Sequence, residues 1–107
     1  MLKPQPEDLP DLKRIRNIIR RGWTQGASAR LANGKPCSAL NSRAKSWCLW
    51  GAVNKADATG TAIIRALQHY DYIGWNDQFG RTQEEVLAVL DAAIADSIKQ
   101  EKEIHGT

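Results

Sequence analysis

Arg43-Ala44-Lys45-Ser46-Trp47-Cys48-Leu49-Trp50-Gly51-Ala52-Val53-Asn54-Lys55-Ala56-Asp57 holds two of the chain's four tryptophans, beside a cysteine, a glycine and small aliphatic residues. Read at about 100° per residue, Trp47, Cys48, Leu49, Trp50, Ala52, Val53 and Ala56 place apolar groups nearly all round a helix over 43–57. A helix apolar on every side belongs in the middle of a helical bundle. Asn41 or Ser42 can cap its start, and Gly51 with Ala52 lets a neighbouring backbone come close.

Working outward, Leu12, Ile15, Ile18 and Ile19 form one stripe of a first helix over Leu9–Arg21, with Lys13, Arg16 and Arg20 opposite. Asp8 is its expected N-cap, Pro10 suits its first turn, Arg20 and Arg21 suit the negative end of its dipole, and Gly22 ends it. Between the two helices, Asn33-Gly34 predicts a two-residue turn and hence a short β-hairpin, with Pro36 holding the second arm at an edge. After Thr59-Gly60 a helix is predicted over Thr61–Tyr70, burying Ile63, Ala66, Leu67 and Tyr70 and leaving His69 on its polar side near Arg65. Asp71–Arg81 reads as a loop. Thr82-Gln83-Glu84-Glu85 is a capping box before a last helix, whose buried stripe is Val86, Val89, Leu90, Ala93, Ile94 and Ile98 and which reaches about Lys99. Residues 1–7 and 101–107 read as irregular tails. The expected fold is mainly α: a compact bundle of about four helices with a small β-hairpin insert between helices 1 and 2, one domain over residues 1–107.

Composition narrows the class. With 107 residues, 42% hydrophobic and 25% charged, the chain reads as an ordinary soluble globular protein rather than a disordered one. No apolar run approaches the ~20 residues of a membrane span, and the N-terminus has no signal-peptide core. Two cysteines are too few for a disulfide scaffold, and a cytoplasmic chain keeps them reduced. Charge is unevenly spread: residues 1–54 carry ten Lys/Arg against three Asp/Glu, and residues 55–107 five against nine. The basic first helix and the acidic last one are expected to steer each other together, within one chain or between copies in an oligomer. The alternative is a nucleic-acid surface on Lys13, Arg16 and Arg20, although helix 1 holds no aromatic to stack on bases, so specific nucleic-acid binding is not expected.

Three constellations bear on chemistry. The glycines fit neither a phosphate loop nor a dinucleotide fingerprint, and His69, His105, Cys37 and Cys48 lack metal-ligand spacing, so no metal or cofactor is expected. Cys48, in the first turns of the central helix, lies where a dipole lowers a thiol pKa. With His69 as base and Asp77 or Asn76 as orienting group it would make a small cysteine-dependent hydrolase; otherwise it fills space in the core. Last, Trp23-Thr24-Gln25-Gly26 and Trp75-Asn76-Asp77-Gln78-Phe79-Gly80-Arg81 are rich in directional hydrogen-bonding groups. Trp23, Gln25, Arg30, Trp75, Asn76, Asp77 and Arg81 either hold a small polar ligand between an indole and a guanidinium, or form a brace in which Arg81 pairs with Asp77.

Taken together, Trp23-Thr24-Gln25-Gly26-Ala27 with Ala29-Arg30 and Gly34, Trp47-Cys48-Leu49-Trp50-Gly51-Ala52, and Trp75-Asn76-Asp77 with Gly80-Arg81-Thr82 and Glu85-Val86-Leu87 resemble a family of small uncharacterised bacterial and phage proteins, a domain of unknown function. Trp50 stands where that pattern has a smaller or aliphatic residue, and Phe79 where it has a proline. The resemblance implies a phage or bacterial cytoplasmic setting and brings no activity. The function expected is a non-enzymatic binding module for a protein partner or a small polar ligand.

Overall fold

The computed structural model describes residues 3–105. Pro6–Asp8 form one 3-10 turn that leads into α1, Leu9–Arg21, so this part of the expected irregular lead-in is ordered. The stripe of α1 is buried as its spacing requires: Leu12, Ile15, Ile18 and Ile19 all lie in the core. Asp8 does not cap α1 with its side chain. Its carboxylate accepts from the Gln5 N–H at 2.9 Å and from Arg65 at 3.0 and 3.2 Å, a partnered charge in a buried position.

The hairpin forms from β1, Ala29–Arg30, and β2, Pro36–Cys37, antiparallel with Ala29 opposite Cys37. Its turn differs from the two-residue form. The Gly34 N–H donates to the Leu31 carbonyl at 2.9 Å and the Leu31 N–H to the Lys35 carbonyl at 2.9 Å, so Ala32, Asn33 and Gly34 make a three-residue loop. Only Gly34 there takes a positive φ, +86°, as a hairpin with a glycine bulge demands. A third strand, β3 (Ser46–Trp47), pairs antiparallel with the other side of β1, giving the order β2-β1-β3 and leaving Pro36 on an edge.

That strand cuts the long central helix short. The Lys45 N–H donates to the Arg30 carbonyl at 2.8 Å and the Trp47 N–H to the Gly22 carbonyl at 3.1 Å, so residues before Cys48 are paired as sheet and turn. Asn41 accepts from the Arg43 N–H at 2.8 Å in a local turn and caps no helix. The helix α2 spans only Leu49–Lys55 and closes with a C-terminal motif in which Asp57, at φ +53°, is followed by Ala58 donating back to the Val53 carbonyl. Nor is α2 apolar all round, since Trp50 and Asn54 face water.

The third helix, α3 (Gly60–Leu67), stops because Gln68 turns left-handed at φ +57°; Tyr70, expected in the core, is exposed. The expected loop at 71–81 contains a helix, α4 (Tyr72–Asp77), capped by the Asp71 carboxylate, which accepts from the Gly74 N–H at 2.9 Å. The capping box opens α5 (Gln83–His105) as read: the Glu85 N–H donates to the Thr82 hydroxyl at 3.2 Å and the Thr82 N–H to the Glu85 carboxylate at 3.2 Å. Its helix runs on through 101–105, past the expected end near Lys99, whereas residues 1, 2, 106 and 107 lie outside the described part. Val86, Leu90, Ala93 and Ser97 form its innermost line, which leaves Ile98 38% exposed at the margin of the stripe. The fold is thus mainly α with a small antiparallel sheet inserted after α1; α4 and β3 are the elements added to the expected set. The two charged helices meet inside one chain: α1 packs chiefly on α5, with Arg16 bonded to Asp91 at 3.0 Å. No helix among the described residues is long and apolar enough to cross a membrane.

Candidate functional site

Asn76 sits at the junction of three segments and is wholly buried. Its side-chain oxygen accepts from the Trp23 indole N–H at 2.7 Å and from the Leu49 N–H at 3.1 Å, and its amide donates to the Thr24 carbonyl at 3.1 Å and to Asp77 Oδ1 at 2.9 Å. Both ends of the amide are therefore used, and the 23–26 segment, the start of α2 and the end of α4 are held together. Gln25 extends the clasp, donating to the carbonyls of Asn76 and Gln78, each at 2.9 Å, while the Gly26 N–H donates to Asp77 Oδ1 at 3.0 Å.

The two arginines of the polar motifs are also engaged. Arg30 donates to the Thr24 hydroxyl at 2.8 Å, the Gln25 carbonyl at 2.9 Å and the Gly34 carbonyl at 3.0 Å. Arg81 does not pair with Asp77, contrary to the expected brace. It donates to the Trp75 carbonyl at 3.1 Å, Gln78 Oε1 at 2.7 Å and Glu85 at 3.1 Å, and its guanidinium lies 3.8 Å from the centre of the Trp75 ring. The insertion of α4 explains this: Asp77 at the helix end turns toward Gly26, and Arg81 folds back over Trp75. The gap between indole and guanidinium that the sequence offered to a ligand is filled by the arginine itself.

Beside this clasp is a cleft of about 320 Å³ lined by Ala27, Ser28, Cys48, Trp50, Ile73 and Asp77. Small side chains at 26–28 leave the space, and α2 and α4 wall it. Trp50 is 41% exposed and Ile73 46% exposed, two large apolar side chains left at the surface on the rim of this cleft. One other depression, about 420 Å³ between Pro4, α3 and α5, is bordered mainly by short or polar side chains. A third, about 330 Å³, is the polar surround of the Asp8–Arg65 pair. Of the seven sequence-derived ligand candidates, Asp77 lines the 320 Å³ cleft; the others brace its walls or stand behind them. The sequence reading missed Trp50 and Ile73 as cleft residues. A signal for Trp50 was present: Asn54 and Asp57 follow it at helical spacing, which marks that face as polar.

Cys48 is buried and caps α2, its sulfur accepting from the Gly51 N–H at 3.3 Å. Burial pushes its thiol pKa up; the N–H groups of Gly51 and Trp50 pull it back only in part, and the Asp77 charge adds to the rise. This reverses the dipole-lowered thiol expected from its position, because removal from water outweighs the few N–H groups of a short helix. Asp77 shares the cleft with Cys48, whereas His69 lies exposed at the end of α3, its Nδ1 accepting from the Asp71 N–H at 3.0 Å. The triad is not assembled. Cys37 and Cys48 are both free thiols, and no group of three or more His, Cys, Asp or Glu suited to a metal occurs among the described residues. On α1, Lys13 and Arg20 are exposed, and Arg16 is tied to Asp91.

Residues 4–96 match the model of a family of unknown function (DUF6197). The chain matches none of the curated proteins and none of the solved structures.

Proposed function

Because the chain belongs to this family of unknown function, membership supplies a fold unit and no activity, and we propose from the geometry that it is a non-enzymatic binding module whose cleft between 26–28, α2 and α4 receives a small ligand. The observation that carries this reading is the pair Trp50 and Ile73, two large apolar side chains held at the surface around a preformed depression. Covering apolar groups of that size is favourable in water, and small-ligand sites are concave, largely apolar and supplied with a few polar groups. Ser28 and Asp77 supply the polar groups here. The raised pKa and capping role of Cys48, and the placing of His69 at the surface with its Nδ1 engaged by Asp71, argue against nucleophilic catalysis. In line with the family resemblance, the setting proposed is the cytoplasm of a bacterial cell, with phage or prophage origin.

The test is a fragment screen read by ¹H–¹⁵N chemical shifts, run on the wild type and on Ala27→Leu, which fills the cleft. Fragments that shift the amides of Ala27, Ser28, Trp50 and Ile73 in the wild type, and fail to do so in the variant, support the reading. A screen in which hits gather elsewhere, or ignore the filled cleft, overturns it.

A further inference from the structure

Asp77 is the one charged residue that lines the cleft. It forms no ion pair among the described residues. Asp77 is exposed, and both hydrogen bonds it receives among the described residues, from the Gly26 N–H and the Asn76 amide, fall on Oδ1, which orients the carboxylate and leaves Oδ2 open to solvent. The two basic side chains that flank the motif are committed to other acceptors: Arg30 to Thr24, Gln25 and Gly34, and Arg81 to Trp75, Gln78 and Glu85. The cleft thus carries one negative charge that no basic side chain among the described residues pairs. An indole and an aliphatic side chain, Trp50 and Ile73, line the same cleft.

Resting on the cleft reading above, we infer that the ligand class is a small organic cation: an amine whose ammonium meets Asp77 Oδ2 and whose short apolar or aromatic body covers Trp50 and Ile73. Each part of the site suits one part of such a molecule. An ammonium donates to a carboxylate in a charge-assisted hydrogen bond and is also attracted to the face of an indole. The body recovers the apolar area that Trp50 and Ile73 leave in water. A carboxylate or phosphate ligand of the same size meets repulsion from Asp77 with no basic group to offset it. The protonated thiol of Cys48 fits the same field, since burial raises its pKa and the Asp77 charge adds to the rise.

The experiment compares three molecules of one shape: phenethylammonium, 2-phenylethanol and phenylacetate. Each is titrated into the full chain and followed by amide shifts of Ala27, Ser28, Trp50 and Ile73, then repeated with Asp77→Asn and Trp50→Ala. The expected result is an order of amine, alcohol, acid, with at least tenfold between amine and alcohol. Asp77→Asn should remove that preference, and Trp50→Ala should weaken amine and alcohol alike. Equal affinity of amine and alcohol for the wild-type cleft overturns the cation inference and leaves the cleft reading standing. Shifts confined to residues away from the cleft overturn both. Because the three ligands are first compared on unaltered protein, a variant that fails to fold does not remove the test.

Discussion

Asn76 makes four side-chain hydrogen bonds from a position without solvent access, and one of its partners, the Leu49 N–H, is the first donor of α2. Removing the amide leaves that N–H, the Trp23 indole and the Thr24 carbonyl without partners at once. Asn76→Ala should therefore lower stability by about 3 kcal/mol in urea unfolding, well above the cost of an exposed substitution. Cys48 lends itself to a pH experiment. Its folded-state pKa is raised, so above about 8.5 the unfolded chain loses the thiol proton first, and stability falls as pH climbs from there toward the folded value. Cys48→Ser keeps a cap acceptor for Gly51 and should flatten that part of the decline. A remainder at higher pH belongs to Tyr72, whose phenol pKa burial also raises. Thiol reagents on the native wild type should modify the half-buried Cys37 faster than Cys48. Faster labelling at Cys48 would restore the case for a reactive thiol.

At the level of elements, α2 is placed by a close backbone contact as well as by its buried Leu49, Ala52 and Val53. A Cβ on Gly51 would collide with the Ser28 carbonyl oxygen, so the helix lies directly against the irregular segment that leads into β1. Gly51→Ala should cost about 3 kcal/mol in thermal or urea unfolding, despite the better helix propensity of alanine. A neutral or stabilising result would mean that the loop gives way easily. The same close approach shows what sequence reading reaches and what it does not. Helix α1 was legible because one stripe and its termini agree, and α5 opened where its capping box said. The end of the chain segment 43–48 was not legible as strand, because the partners of Ser46 and Trp47 are Arg30, Ala29 and Gly22, all remote in sequence. Gly74 and the Asx-rich run 71–77 argue against a helix locally; the fixed Asn76 and the Asp71 cap override that preference. At the site, the polar residues of the clasp were legible by type, and the cleft beside it was not. Its walls depend on how α2 and α4 lean together, which no local pattern records.

The whole molecule measures 51 × 27 × 19 Å, lengthened by the 23 residues of α5. Its charge asymmetry is partly consumed within the chain: Arg16 pairs with Asp91 and Arg14 with Asp11, whereas Lys13 and Arg20, of the expected nucleic-acid residues of α1, are exposed and form no ion pair among the described residues. Labelled oligonucleotides should bind weakly at low salt and lose binding near 0.15 M, as anisotropy can measure, because so few phosphates would be neutralised. Retention at that salt, lost on Arg20→Ala, would contradict this. The Asn76 clasp has a further consequence that concerns time. It joins Trp23 and Asn76 across 53 residues by directional bonds that gain strength only once water has left the junction. Such contacts form after the apolar stripes of α1 and α5 have met, so Asn76→Ala should leave the refolding rate near its wild-type value. The whole loss should appear as unfolding about a hundredfold faster in stopped-flow urea jumps. By the same ordering, α4 should be the first element to let go of the native fold, and its amides should exchange with solvent ahead of those of the helices it leans on.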